Sequence, residues 1–204
     1  MKRSAFRIPR NLPFKHTRFM IATEKKLYTY DDYAALTPPD SAQFQLIEGE
    51  LVEMPSPTVN HQRVQRELGF ALLQFIKQKN LGELFYAPMD VYLSPTNTYQ
   101  PDILFISNER RNIISDKRID GAPDLVVDIL SPGTAYYDLK KKRRNYEAFG
   151  VRELWFVDPN DETIEIYASL DGKFQLIVDA QAKGTVSSRL LTNFSIMLEQ
   201  IFAE

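Results

Sequence analysis

Helical and extended periods alternate along the chain. Between 56 and 80, Val64, Leu68, Leu72, Phe75 and Ile76 recur at spacings of three and four, the stripe of an amphipathic helix. That helix is predicted to start near Asn60 and to end before Gly82. A shorter helix is predicted over 29–37, capped by Thr29 or Asp31 and stopped by Pro38 and Pro39. Residues 43–54 alternate about Glu48-Gly49-Glu50, the pattern of a β-hairpin. Residues 82–93 and 100–107 read as strands separated by a polar turn, and 109–121 as a charged loop. An apolar strand follows within 123–132, then a helix from near Thr134 to Gly150, a residue suited to a helix C-cap. Strands are predicted over 152–159, 163–170 and 173–180, and a final short helix over 193–202. The order implies an α/β protein: a mixed sheet with helices on its faces and a hairpin near the N-terminus.

A chain of 204 residues with 44% hydrophobic and 25% charged content is long enough to bury a core without staples. The absence of cysteine removes disulfides, thiol nucleophiles and cysteine-held zinc, and two histidines, His16 and His61, are too few for a multi-histidine centre. A metal would need oxygen ligands, which favours magnesium, manganese or calcium. No apolar run approaches the roughly 18 residues that span a bilayer, so no membrane partner and a cytoplasmic location are expected. The net charge of -2 is uneven. Lys2, Arg3, Arg7, Arg10, Lys15, Arg18, Lys25 and Lys26 stand against Glu24 alone, giving residues 1–26 a balance of +7 and the rest -9. Residues 1–26 are expected to be a flexible basic arm, with attraction to nucleic acid or an anionic membrane as the competing reading. Residues 27–204 are expected to form one domain.

Within "PDLVVDILSP" (123–132) two aspartates interrupt an otherwise apolar strand. Asp124 lies at the strand entry, where a turn or solvent can satisfy it. Asp128 lies deeper, and a buried carboxylate is costly without a partner or metal. It could serve a site, or reach a solvated sheet edge or a structural arginine. "QPDILFI" (100–106) repeats the Pro-Asp entry, with Asp102 heading a second apolar strand. Proline is tolerated at a strand start. If the two strands are neighbours, Asp102 and Asp128 could flank one hard cation; magnesium commonly takes one or two protein carboxylates and keeps several waters.

The predicted helix "DLKKKRRNYEAFG" (138–150) supplies cations. Asp138, Lys142 and Tyr146 fall at i, i+4 and i+8, hence near one face, with Lys140, Lys141, Arg143 and Arg144 around it. Lys142 could activate water or stabilise developing negative charge, and its neighbours could contact phosphates. A solvated basic surface is the plainer reading for most of these residues.

Taken in order, "QLIEGELVEMPSPTVNHQRVQREL", "QPDILFI", "PDLVVDILSPGT", "YDLKKKRRNYEAFGVRELWFVDP" and "IEIY" resemble the Uma-two family of candidate restriction endonucleases, placed in the PD-(D/E)XK nuclease superfamily. The resemblance covers about residues 28 to 180. It implies a restriction-endonuclease-like core and a magnesium-dependent phosphodiesterase site, with manganese as a substitute. By position, Asp102 and Asp128 would be the two acids, the main-chain carbonyl of Ile129 a further metal ligand, and Lys142 the family's helix lysine. His61 matches a family histidine that could contact substrate or the site, or cap and pack its helix.

Three departures stand out. Leu130 occupies the superfamily's lysine position, Asp128 stands where the family often has Glu, and Gln45 replaces a hairpin carboxylate that could have supported the site. The resemblance implies a metal-dependent endonuclease acting on DNA, with a homodimer as the simple way to cut both strands. No base-reading motif is present. The alternative is a catalytically weakened binding or regulatory module on the same fold; hydrolysis of RNA or nucleotides at the same site is a third reading.

Overall fold

The computed structural model describes residues 26–36, 43–131 and 137–203. Residues 1–25 of the expected basic arm over 1–26, Pro38-Pro39 and the expected helix start at Thr134 lie outside the described residues. In chain order the elements are α1 (Tyr30–Leu36), β1 (Phe44–Ile47), β2 (Glu50–Glu53), α2 (Val59–Lys79), β3 (Gly82–Tyr86), β4 (Val91–Ser94), β5 (Asn97–Tyr99), β6 (Ile103–Ser107), β7 (Ile119–Asp120), β8 (Leu125–Ile129), α3 (Arg143–Phe149), β9 (Glu153–Asp158), β10 (Thr163–Leu170), β11 (Lys173–Gln181), β12 (Thr185–Ser187), β13 (Ser195–Met197) and α4 (Leu198–Ile201). A 3-10 segment (Asn108–Ile113) follows β6, and a π-helical turn (Tyr137–Lys142) leads directly into α3.

Helix α2 forms where its apolar stripe predicts it. Thr58 caps its N-terminus, accepting from the His61 amide at 3.1 Å, and Asn80 closes it in the left-handed conformation. Val64, Leu68, Leu72 and Ile76 are all fully buried, packed with Ile103, Phe105, Leu125, Val127 and Trp155 on one face of a sheet. Each such side chain contributes about 1.5–3 kcal/mol by leaving water. The sheet has six strands in the order β11-β10-β9-β8-β6-β3, antiparallel except for the parallel β8–β9 pair. Its other face, through Val126, Leu154 and Phe156, packs against Tyr146 of α3 and against Ile47 and Tyr99. The last two belong to a second, five-stranded sheet in the order β2-β1-β5-β4-β7.

The hairpin over 43–54 is present as β1–β2. The single strand expected over 82–93 is instead two strands in different sheets, β3 and β4, with Pro88 between them. Proline has no amide to continue the ladder. The polar turn expected after residue 93 contains β5, the strand between β1 and β4, built by the buried Asn97, Thr98 and Tyr99. Residues in the charged loop form β7, and the C-terminal helix expected over 193–202 begins as β13, which pairs with β12. These strands have two or three residues each. Too short for a repeating period, they are held by tertiary pairing.

Candidate active site

Asp102 sits where the chain crosses from β5 of one sheet to β6 of the other. Strands β6 and β8 are antiparallel neighbours, with Ile103 opposite Val127 and Leu104 opposite Val126. Asp102 immediately precedes β6 and Asp128 lies within β8, so the paired strands carry both carboxylates to the lining of one cavity. Asp102 is held from three directions. Its Oδ2 accepts from the Ile129 amide at 2.7 Å, its Oδ1 lies 3.2 Å from His61 Nε2, and its main-chain carbonyl accepts from Gln65 Nε2 at 2.9 Å. His61 and Gln65 are one turn apart on α2, so a single helix face supplies both.

Burial of His61 works against its charged form. The hydrogen bond and negative charge of Asp102, the Ile129 carbonyl and the charge of Asp128 outweigh that burial, so its pKa is raised above the ordinary 6.5. Asp128 meets Lys142, whose Nζ lies 3.3 Å from Oδ1, and both residues are only 2% exposed. The strand position at Leu130 therefore needs no lysine for an ammonium to reach Asp128: the helix brings one from 14 residues downstream. Lys142 is the last residue of the π-helical turn, and such wide turns re-aim side chains within a helix. The Tyr99 ring centroid lies 6.0 Å from Nζ, and the Tyr99 hydroxyl donates to Asn97 at 2.6 Å and accepts from Asn145 at 2.7 Å.

The other residues picked out from the sequence take different places. Tyr146 is fully buried edge-on to Tyr99, with centroids 5.4 Å apart. Gln45 is buried and accepts from the Gln100 amide at 3.1 Å, with its amide nitrogen against Met54 Sδ. It ties the hairpin to the segment that carries Asp102. Lys141 pairs with Glu50 at 3.3 Å, Arg144 with Glu48, and Arg143 donates to the Tyr167 hydroxyl at 3.2 Å. Lys140 is exposed. The side chain of Asp138 lies outside the described residues. Asp124 is fully buried and engaged by the Ser107 amide at 2.8 Å, Arg152 at 3.2 Å and Arg110 at 3.4 Å, an anchor between strands.

Asp102, Asp128, Ile129, His61 and Lys142 line a cavity of about 450 Å³. Its rim adds residues that sequence reading passed over, among them Gln65, Gln62, Gln43 and Asn160. Only the four-residue spacing of Gln65 from His61 signals it in the sequence. Among the described residues no three His, Cys, Asp or Glu side chains cluster as a ready-made cage. The Asp102 and Asp128 carboxylates and the Ile129 carbonyl, from residues lining one cavity, nevertheless offer oxygen donors that fit a hard cation retaining water ligands. The set offers oxygen donors and a cavity with room for water, which suits magnesium or manganese.

No helix among the described residues is long and apolar enough to cross a membrane. The model of the Uma2 family, described as "Putative restriction endonuclease", matches residues 30–199. A crystal structure from Anabaena variabilis ATCC 29413, of "a putative nuclease belonging to DUF820", superposes with a TM-score of 0.69 at 19% identity, covering 86% of this chain and 97% of that one. A relative from Synechocystis sp., "Uncharacterized protein sll1609", is 21% identical over 162 residues, or 78% of this chain and 91% of that protein.

Proposed function

The chain belongs to the Uma2 family, and from that premise we propose that it is a divalent-metal-dependent endonuclease hydrolysing phosphodiester bonds in DNA. One observation carries the reading: Asp102 and Asp128, brought by the paired strands β6 and β8, line one cavity, with Lys142 delivered to Asp128 from another element. Asp102, Asp128 and the Ile129 carbonyl would hold magnesium or manganese. When bound, the cation supplies Lewis-acid polarisation of the phosphodiester and lowers the pKa of the attacking water. The chain's own groups do the rest. Lys142 orients that water or stabilises negative charge building on the phosphoryl oxygens as one P–O ester bond breaks. His61 and the Ile129 amide fix the rotamer of Asp102, and Gln65 fixes its backbone.

The test is nicking of supercoiled plasmid with manganese. Wild type is expected to nick, with Asp102→Ala, Asp128→Ala and Lys142→Ala each slower by at least about 100-fold, the scale of lost electrostatic catalysis. Equal cutting by all four proteins would refute the assignment.

A further inference from the structure

Resting on the nuclease reading of this same site, we infer that its substrate is an unpaired DNA strand rather than an intact duplex. Three observations converge on this. The first is depth. Asp128 and Lys142 are 2% exposed and His61 9%, all lining one cavity of about 450 Å³. A duplex displays its phosphates on the outside of a broad, stiff cylinder, whereas a single strand can bend a phosphodiester and its nucleotide into a recess.

The second is the rim. Gln62 donates to Gln65 and Gln65 to the Asp102 carbonyl, while Gln43 and Asn160, both exposed, carry amides whose donors and acceptor can meet the edge of an unpaired base. Affinity for a duplex rests mainly on cations placed against phosphates. Here three of the five cations over 140–144 already face acids: Lys142 faces Asp128, Lys141 Glu50 and Arg144 Glu48.

The third is Tyr86. It immediately precedes Ala87 and Pro88, which line the cavity, and it rests on Gly69, one turn beyond the lining Gln65. A Cβ at Gly69 would lie 2.5 Å from Tyr86 Cε1 and 2.8 Å from its hydroxyl, so only glycine lets the ring settle against α2. Tyr86 remains 37% exposed, a supported aromatic residue next to the cavity-lining Ala87 on which a base can stack.

The test uses one 5′-labelled sequence as a single strand, as a blunt duplex and as a duplex with a central unpaired bubble. Cleavage is followed with manganese, and binding of the same three forms to Asp102→Asn is followed by fluorescence anisotropy. The single strand and the bubble are expected to be cut at least tenfold faster than the blunt duplex, with cuts inside the bubble and a matching preference in binding. Tyr86→Ala is expected to raise KM for the single strand severalfold with little change in kcat, while Tyr86→Phe behaves as wild type; thermal melting verifies that both fold. A blunt duplex cut as fast as the single strand overturns the inference and leaves the nuclease reading standing. Failure to cut any of the three removes the nuclease reading, and anisotropy without a single-strand preference then overturns the inference as well. An unchanged KM in Tyr86→Ala removes the stacking role.

Discussion

Asp128 and Lys142 have side chains only 3% exposed and 3.3 Å apart. Their attraction offsets the cost of taking two charges out of water, and each is expensive to leave alone. Lys142→Met is therefore expected to lower unfolding free energy by about 3–5 kcal/mol in urea titration. Adding Asp128→Asn should restore more than half of that loss, because the stranded charge goes with it. Additive losses in the double variant would show that the two groups are not coupled. Asp102 is tied differently, by His61 and the Ile129 amide, so the two acids of the site rest on separate supports.

At the level of elements, the β1–β2 hairpin and α3 are joined by charge. Glu48 accepts from Arg144 and Asn145, and Lys141 lies 4.0 Å from its other oxygen. Partial burial works against the Glu48 charge, but the Arg144 and Asn145 hydrogen bonds and the charges of Arg144 and Lys141 outweigh it, holding its pKa below the ordinary 4.5. A depressed carboxylate contributes stability that is present above its unfolded value and lost as pH falls through the lower folded one. Thermal melts of Glu48→Gln should lose part of the acid-side fall in stability that wild type shows below about pH 4.5. Coincident curves would show that the hairpin–helix clasp contributes nothing measurable. Asn145, from the same helix, also reaches the Tyr99 hydroxyl, so the clasp and the support beneath Lys142 share a residue.

Across the whole molecule, the cavity lies where two sheets exchange strands. The chain leaves the six-stranded sheet after β3, passes through β4 and β5 in the other, and returns at β6. Asp102 sits on the return, and Ala87 and Pro88 on the outward crossing. A cation bound there should stabilise the entire fold. Magnesium or manganese at ten to a hundred times its Kd should add about 1.4–2.7 kcal/mol to unfolding free energy. The accompanying rise in Tm should vanish in Asp102→Ala. An equal rise in both proteins would place the metal elsewhere.

Much of this architecture was legible in the chain because its signals are local. The stripe Val64-Leu68-Leu72-Ile76 specifies α2, the alternation about Gly49 specifies the hairpin, and Gly150 stops α3 in the left-handed conformation, φ 89°. Of the two Pro-Asp strand entries, the sequence points Asp102 to the candidate site and leaves Asp124 to a turn or solvent. What satisfies Asp124 is tertiary: it is fully buried, surrounded by Arg110, Arg152 and the Ser107 amide, while Asp102 lines the cavity. The basic run 140–144 shows the same limit. Its composition suggests phosphate contacts, yet Glu48 and Glu50, more than 90 residues earlier in the chain, take Arg144 and Lys141. Sequence period determined the long elements and the residues that could do chemistry. Tertiary packing decided the second sheet, the convergence of Asp102 and Asp128 on one cavity, and which lysine reaches Asp128, because those contacts depend on register and crossover rather than on any neighbour in sequence.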